Sequence, residues 1–412
     1  MAESPVLLQW SSFPTIDTIQ TGFNYFIRNA DNPELLKICI AHQHSEEDHW
    51  DTLQKYAGDD RFIIIDIPYQ ESLGACWARN QIQQHYSGEK YTLQLDSHHR
   101  FVEGWDSVCI EMMESLKLKG YNKPLLTGYM PGYDPSNDPN GRGGKPCGMS
   151  FDRFTPEGVV FFLPYYIDES VKDPVPARFY SAHFAFTLGS FCNEVQHDPS
   201  FYFHGEEITI GVRAYTWGYD LFHPHKLICW HEYTRDNRVK HWDDDKDWHL
   251  KNDVAHSRTR RLLGIDGEVC SPCNKNTFNG YDIGNFRSIS DYEAYSGIRF
   301  KDRCITESCL LNKNPPGNSN DSYFLVFKHL FKIFKNFFPY NDYEFAALIL
   351  EDKDNNQLYR DDLNKETIYN LINGPHESID VSIEYNGPTP HQWVLWPYSS
   401  SNGWSDKRVA KI

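Results

Sequence analysis

A short run of polar residues behind one apolar segment carries the clearest chemistry in this chain. Tyr91–Leu95 is apolar and β-favouring, which predicts a buried strand, and Asp96, Ser97 and His98 follow it directly. A carboxylate and an imidazole two residues apart at the open end of a strand can bind the same divalent cation. The alternative is a polar turn that ends a core strand, and the motif by itself does not exclude it.

Two other segments place charged groups near the start of predicted helices. Gly74 is followed by a helical pattern, Ala75–His85, that contains Arg79, where backbone N–H groups and the guanidinium can face a phosphate. Glu206 and Glu207 precede a second helical pattern. A solvated arginine, and acidic residues that merely suit the helix dipole, are the alternative interpretations.

The elements that must position these groups alternate between strand and helix. Val6–Trp10, Leu36–Ile40 and Phe62–Ile67 are short, nearly continuous apolar runs, as in parallel strands covered on both faces. The segments between them, Asp17–Asn29 and Asp48–Ala57, are predicted helices. In such an α/β fold a ligand binds at the carboxyl ends of the strands, which is where the D-x-H motif stands.

Composition limits the kinds of partner and compartment. The chain has 412 residues, enough for one large domain and a smaller one. Its formal net charge of −17 disfavours nucleic acid, whose phosphates need Lys and Arg. The ten cysteines are scattered, several of them in apolar stretches, as in reduced cytosolic proteins. With no signal-peptide pattern and no apolar run long enough to cross a membrane, we expect a cytoplasmic protein.

Several motifs, taken in order, resemble one enzyme family. Gly74-x-x-x-x-Arg79 and the segment Tyr91–Phe101 look like the nucleotide-sugar half of a GT-A glycosyltransferase. More closely, they resemble the polypeptide α-N-acetylglucosaminyltransferases, which act on hydroxyproline or threonine. The resemblance covers residues 1 to 300, roughly, and continues downstream in the segments Ala177–Phe184, Tyr202–Ile208, Gly218–Phe222, His231–Tyr233 and Arg287–Glu293. It implies an α/β, Rossmann-like GT-A domain that acts on nucleotide-diphospho-sugars.

The resemblance also implies a metal site. The D-x-H motif takes the part of the family's D-x-D motif, so Asp96 and His98 are expected ligands of Mn²⁺ or Mg²⁺. His231, which follows the apolar run Leu227–Trp230, is the expected third ligand. For His231, a histidine hydrogen-bonded at a strand end is the alternative. A cation held here would neutralise the diphosphate of a UDP-sugar as the glycosidic bond breaks.

Donor and catalytic residues follow from the same resemblance. The expected contacts of the donor, UDP-GlcNAc, are Ser11, Arg79, Asp96 and His183. Glu206 and Glu207 are the expected catalytic carboxylates, facing the acceptor and the transferred sugar. The segment Ser11–Thr15 departs from the family pattern at the place where the uridine pocket normally begins. The sequence therefore specifies the nucleotide less firmly than the metal.

The predicted function is that of a metal-dependent glycosyltransferase. It moves N-acetylglucosamine from UDP-GlcNAc to a hydroxyl of a polypeptide or glycan, with retention, so that the glutamate pair orients hydroxyls while the leaving phosphate takes the proton. In an inverting enzyme one of the glutamates would deprotonate the acceptor. Two alternatives stay open: a catalytically reduced carbohydrate-binding protein on a GT-A fold, and a metallohydrolase that uses the same ligands on water.

Three parts are expected along the chain. They are a GT-A domain over residues 1–312, a linker and basic amphipathic helix over 313–340, and a β-rich, sandwich-like accessory domain over 341–412. The helix is placed at Tyr323–Phe338, where three lysines share one face. Packing against a neighbouring domain is favoured over contact with a membrane surface. Alternating apolar and polar residues over 379–385 predict a strand in the last part.

Overall fold

The computed structural model describes residues 6–12, 25–44, 51–56, 58–155, 157–234, 247–267, 278–318, 320–385 and 390–412, with residues 6–12, 51 and 52 described by their backbone alone. Most of the predicted helix Asp17–Asn29 and part of the predicted helix Asp48–Ala57 lie outside these residues. Residues 25–28 and 51–54 are helical.

The described strands, numbered in chain order, are β1 Val6–Ser12, β2 Leu36–His44, β3 Phe62–Pro68, β4 Tyr91–Asp96, β5 His99–Phe101, β6 Pro124–Thr127, β7 Cys147–Phe154, β8 Val160–Tyr166, β9 Val175–Pro176, β10 Phe184–Leu188, β11 Asp220–His223, β12 Cys229–His231, β13 Ile298–Arg299, β14 Cys304–Thr306, β15 Tyr323–Leu325, β16 Phe327–Phe334, β17 Tyr343–Glu351, β18 Gln357–Asn364, β19 Ser378–Tyr385, β20 Gln392–Ser399, β21 Gly403–Trp404 and β22 Arg408–Lys411. The described helices are α1 Asp51–Gln54, α2 Ala75–Gln83, α3 Trp105–Leu118, α4 Phe191–Glu194, α5 Glu206–Thr216, α6 Trp248–Leu263, α7 Ile289–Ser296, α8 Glu307–Leu310 and α9 Lys365–Asn373.

An eight-stranded mixed sheet, in the order β3-β2-β1-β4-β10-β6-β11-β9, forms the centre of the first part of the chain. β3, β2, β1 and β4 are parallel, and β10 runs antiparallel to both of its neighbours. The order 3-2-1-4 is that of doubly wound nucleotide-binding sheets. The predicted α/β fold is therefore confirmed, together with its first four strands and the helix that begins at Ala75.

Helices cover both faces of this sheet. Ile38 of β2 belongs to the same buried cluster as Trp105 of α3, whereas its neighbour Cys39 packs with Ala78 of α2. Successive residues of a strand face opposite sides, so this continuous apolar run is buried on both. Because α2 begins soon after the carboxyl end of β3, Arg79 lies near the edge of the sheet where ligands bind.

The prediction of a helix at Tyr323–Phe338 is wrong. β15 and β16 occupy most of this segment, and a single 3-10 turn, Lys335–Phe337, follows them. Lys328 and Lys332 lie four residues apart, which puts two side chains on one face of a helix and equally on one side of a strand. The spacing of the two lysines therefore did not discriminate between a helix and a strand. β16 forms its ladder with β19, far along the chain, and that pairing decides the strand.

The described residues of 341–412 form mainly strands, with the helix α9 beside β17. The hydrophobic cluster of this part also contains Phe327 and Phe331, which lie in the segment predicted as linker and helix. The division of the chain at 312 and 340 stays a prediction. No described helix combines the length and the apolarity that crossing a bilayer requires.

Candidate functional site

Strand pairing brings the predicted metal ligands to one edge of the central sheet. Asp96 is the last residue of β4, and its backbone pairs in register with Ser11 in β1. The chain then forms β5, which pairs antiparallel with β12 so that His231 lies opposite His99. This two-stranded ribbon carries His231 back to the end of β4 from far along the chain.

The side chains of Asp96, His98 and His231 form a compact set of ligand atoms. One ligand atom from each lies within 4.8 Å of the others, and His231 Nε2 is 3.7 Å from Asp96 Oδ2. His98 and His231 are only 8% and 6% exposed. Both ring nitrogens of His231 are buried and make no hydrogen bond within the described part of the chain. Buried polar atoms normally have a partner, so this donor set fits a divalent cation.

Asp96 and His231 have the protonation states that metal binding requires. Burial acts to raise the pKa of Asp96, but the nearby His231 imidazole and Arg79 guanidinium outweigh it and hold that pKa well below its usual range. Burial lowers the pKa of His231 well below its usual range and that of the adjacent His99 to about 4. At neutral pH the site therefore offers an ionised carboxylate at Asp96 and a neutral imidazole at His231.

Arg79, predicted to contact the donor, lies between two carboxylates. Its Nη2 donates to Asp96 Oδ1 at 2.7 Å, and its Nη1 donates to Glu206 Oε1 at 2.5 Å. Burial opposes the charge of Arg79, but the Glu206 and Asp96 carboxylates outweigh it and raise the pKa of the guanidinium. Arg79 thus ties the carboxylate of the ligand set to α5 and keeps a positive charge beside that set.

The two adjacent glutamates at the start of α5 have opposite protonation states. Burial acts to raise the pKa of Glu206, but Arg79 overcomes it and holds the pKa below its usual range. Burial raises the pKa of Glu207 to about 8, against the opposing effect of the Ala182 backbone N–H, which donates to Oε1 at 2.8 Å. Oε2 of Glu207 also accepts from the Tyr129 hydroxyl at 3.4 Å. At neutral pH the pair therefore consists of one carboxylate and one carboxylic acid, which have different chemical uses.

Sequence reasoning missed His197, whose imidazole contacts the Glu206 carboxylate. Its Nε2 lies 2.9 Å from Glu206 Oε1, and its side chain is fully buried. Its backbone N–H donates to Gln83 Oε1 at 2.8 Å, and Asn80 Nδ2 donates to its carbonyl at 2.8 Å. Polar neighbours in the sequence predict a solvated loop at this position. Only the packing of that loop against α2 shows that His197 belongs to the site.

His183, also predicted to contact the donor, packs on the ligand set. Its ring stacks on that of His231, with the centroids 4.4 Å apart. Its Nε2 accepts from the Met130 backbone N–H at 3.3 Å, and the Tyr233 hydroxyl donates to the Met130 carbonyl at 2.8 Å. Burial lowers the pKa of His183 to about 3, so the ring is neutral. Its contact with a donor stays a prediction, as does that of Ser11.

One family model, described as Glycosyltransferase (GlcNAc), matches residues 54–302, which is more than half of the chain. The matched range contains the whole ligand set, Arg79 and both glutamates. No curated protein matches the chain.

Three solved structures share low sequence identity with the chain. GalNAc-T7, crystallised with UDP, GalNAc and Mn²⁺, is 13% identical with a TM-score of 0.47, over 70% of this chain and 54% of that one. S. aureus TarS 1-349 in complex with UDP-GlcNAc is 12% identical with a TM-score of 0.38, over 60% of this chain and 64% of that one. A crystal structure of S. aureus TarS is 10% identical with a TM-score of 0.38, over 99% of this chain and 77% of that one.

The chain thus spans about half of GalNAc-T7 and less than two thirds of the TarS 1-349 chain. Its α/β sheet ends in a set of candidate metal ligands beside a glutamate pair, and these residues lie inside the range that the family model matches. The chain therefore belongs to the Glycosyltransferase (GlcNAc) family.

Proposed function

We propose that this enzyme uses a divalent metal to move N-acetylglucosamine from UDP-GlcNAc to a hydroxyl of a polypeptide or glycan. The observation that carries the proposal is the set of three ligand atoms, from Asp96, His98 and His231, within 4.8 Å of one another. The description of the family supports the sugar. The resemblance of the motifs to polypeptide α-N-acetylglucosaminyltransferases supports the same sugar and a hydroxyl acceptor.

In this proposal Asp96, His98 and His231 hold the metal, with Ser11 and His183 near the donor. When bound, Mn²⁺ or Mg²⁺ neutralises the diphosphate leaving group. Arg79 occupies Asp96 Oδ1, whereas Asp96 Oδ2 lies on the side of His231. Arg79 therefore orients the ligand carboxylate and adds positive charge where the diphosphate is expected.

The protonation of Glu207 supports a retaining reaction. A general base must be ionised to take a proton from the acceptor, whereas a carboxyl with a pKa of about 8 is roughly nine-tenths protonated at pH 7. In our proposal Glu207 donates a hydrogen bond to a sugar or acceptor hydroxyl, and the leaving phosphate takes the acceptor proton. Glu206 is ionised, but its Oε1 already contacts both Arg79 and His197. We therefore do not assign Glu206 as the general base.

We further propose that residues 341–412 are an accessory domain that contributes to acceptor binding by the catalytic part, 1–312. Trp396 and Trp404 lie with their ring centroids 4.2 Å apart, and Trp404 is 42% exposed. The neighbour of Trp396, Leu395, belongs to the core on the other face of β20, so the two tryptophans lie on the outer face. Trp396 is half-buried, and the exposed Trp404 ring, with its polar edge, suits a sugar ring.

Release of UDP tests the proposed function. The protein is incubated with UDP-GlcNAc, UDP-GalNAc or UDP-glucose, with Mn²⁺ or with EDTA, and with or without hydroxyproline peptides, threonine peptides and glycans. We expect UDP release that needs Mn²⁺, is greatest with UDP-GlcNAc and rises with an acceptor. NMR of the product then gives the anomeric configuration. Donor binding without release would favour the carbohydrate-binding protein, and indifference to every nucleotide would favour the metallohydrolase.

A further inference from the structure

We propose a second divalent-cation site, separate from the glycosyltransferase site, formed by His42, His44 and Asp66. Among the residues that the structure describes, these three are the other set of ligand side chains whose donor atoms all lie within 4.8 Å of one another. Two imidazoles and one carboxylate form a donor set of catalytic-type zinc sites, so Zn²⁺ is the expected cation. This inference does not depend on the proposed function.

The backbone of two parallel strands creates this cluster. β2 and β3 pair in register so that His42 lies opposite Asp66. Side chains opposite one another point to the same face of a sheet, and so do residues two apart on one strand. The His42 and His44 rings are stacked, with centroids 4.9 Å apart and an interplanar angle of 10°. His44 Nε2 lies 2.6 Å from Asp66 Oδ1.

The surroundings of the cluster admit an ion from solvent. His42 is 6% exposed, and the side chains of His44 and Asp66 are 14% and 55% exposed. A cation can therefore enter beside Asp66 and keep water at the position that the protein does not fill, as zinc with three protein ligands does. An ion pair between His44 and Asp66 does not involve His42, whereas a bound cation uses all three side chains.

The two cation sites are too far apart to act as one binuclear centre. β1 lies between β2 and β4, and two strand spacings amount to about 10 Å. Ser11 pairs with Asp96 and Ser12 pairs with His42, so the two sites lie at similar heights on the same edge of the sheet. Metal ions in binuclear centres stand about 3.5–4 Å apart. A cation bound by His42, His44 and Asp66 would instead join the ends of β2 and β3 and stabilise the folded chain.

Counting bound metal tests the proposal. Metal-free protein is dialysed against Zn²⁺, the bound zinc is measured by mass spectrometry, and Co²⁺ absorption reports the coordination. We expect two equivalents for the wild type, one for His42→Ala/His44→Ala, one for His231→Ala and none for the three changes combined. The control variant His376→Ala removes an exposed histidine elsewhere and is expected to keep both equivalents.

Asp66→Asn provides a second variant in case the double histidine change disturbs folding. Asp66 is more than half exposed, so its replacement leaves the core intact. In the His231→Ala background, we expect Asp66→Asn to weaken the remaining zinc binding and to reduce the rise in Tm that zinc produces. Zinc binding that is unchanged in the double histidine variant, or absent from His231→Ala, would overturn the proposal. Failure of the proposed function would appear separately, as UDP release that does not need Mn²⁺.

Discussion

At the scale of single residues, the Asp96 carboxylate lies between two partners, Arg79 and His231. One of its oxygens accepts from Arg79 at 2.7 Å and the other lies 3.7 Å from His231. We expect Asp96→Asn to lower metal-dependent UDP release by roughly a thousandfold or more, because the amide removes the ligand charge and must turn its NH2 group towards either Arg79 or the metal. Tm should change little. Asp60→Asn, at an exposed position, is the control, and full activity of the Asp96 variant would refute the assigned ligand.

The pKa of Glu207 leads to a prediction about how activity depends on pH. Its pKa of about 8 means that the proton is present at neutral pH and is lost as the pH rises through that value. We expect the activity of the wild type to fall over the same range. Glu207→Gln keeps an N–H donor without a charge, so it should retain turnover within about tenfold and lose this alkaline decline. The check is kcat/KM as a function of pH, and a decline that persists in the Gln variant would assign it to another group.

At the scale of elements, the loop of residues 131–145 contacts β12, the strand that contains His231. The His231 backbone N–H donates to the Pro131 carbonyl at 3.0 Å, and Trp230 Nε1 donates to the Gly143 carbonyl at 2.7 Å. The Arg142 guanidinium lies over the Trp230 ring, 4.6 Å from its centroid. Residues 131–145 are rich in Gly and Pro, yet they contact β12 and so help to position His231, the proposed third ligand.

Gly205, at the start of α5, leads to a prediction about the free energy of unfolding. Gly205 caps this helix with a φ of 86°, and a Cβ there would lie 2.0 Å from Thr259 Oγ1. We expect Gly205→Ala to lower the free energy of unfolding by about 1–3 kcal/mol and to reduce turnover, because α5 carries both glutamates. Gly120→Ala is the matched control, since its φ is 96° but no atom lies within 4 Å of its Cβ. Equal losses of stability in denaturant unfolding would contradict the importance of the Thr259 contact.

At the scale of the whole molecule, the C-terminal part connects with the catalytic part. Lys328 Nζ of β16 lies 2.9 Å from Oδ1 of Asp152 in β7, whose side chain is 4% exposed. If the outer aromatic face binds acceptor, Trp404→Ala should raise the KM for an extended acceptor several-fold and leave acceptor-independent UDP release unchanged. Tyr369→Ala, at another exposed aromatic residue of this part, is the control. Identical acceptor kinetics in both variants would remove the aromatic face from acceptor binding.

Local patterns predicted the elements whose signals lie within a few neighbouring residues. Nearly continuous apolar runs identified β1 to β3, apolar and β-favouring residues identified β4, and a helical pattern identified α2. The same approach failed at Tyr323–Phe338, because a four-residue spacing fits both periods and only the partner strand β19 decides between them. The local pattern also gave no indication of His197, which is fully buried although its neighbours in the sequence are polar.

By itself, the sequence determined that a carboxylate and an imidazole follow a buried strand, and that a glutamate pair begins a helix. Only the tertiary structure decided how close His231 comes to Asp96, that Arg79 lies between two carboxylates, and that Glu207 keeps its proton. The reason is physical. These properties depend on strand pairing and burial between segments far apart in the chain, and neither exists until the fold is complete.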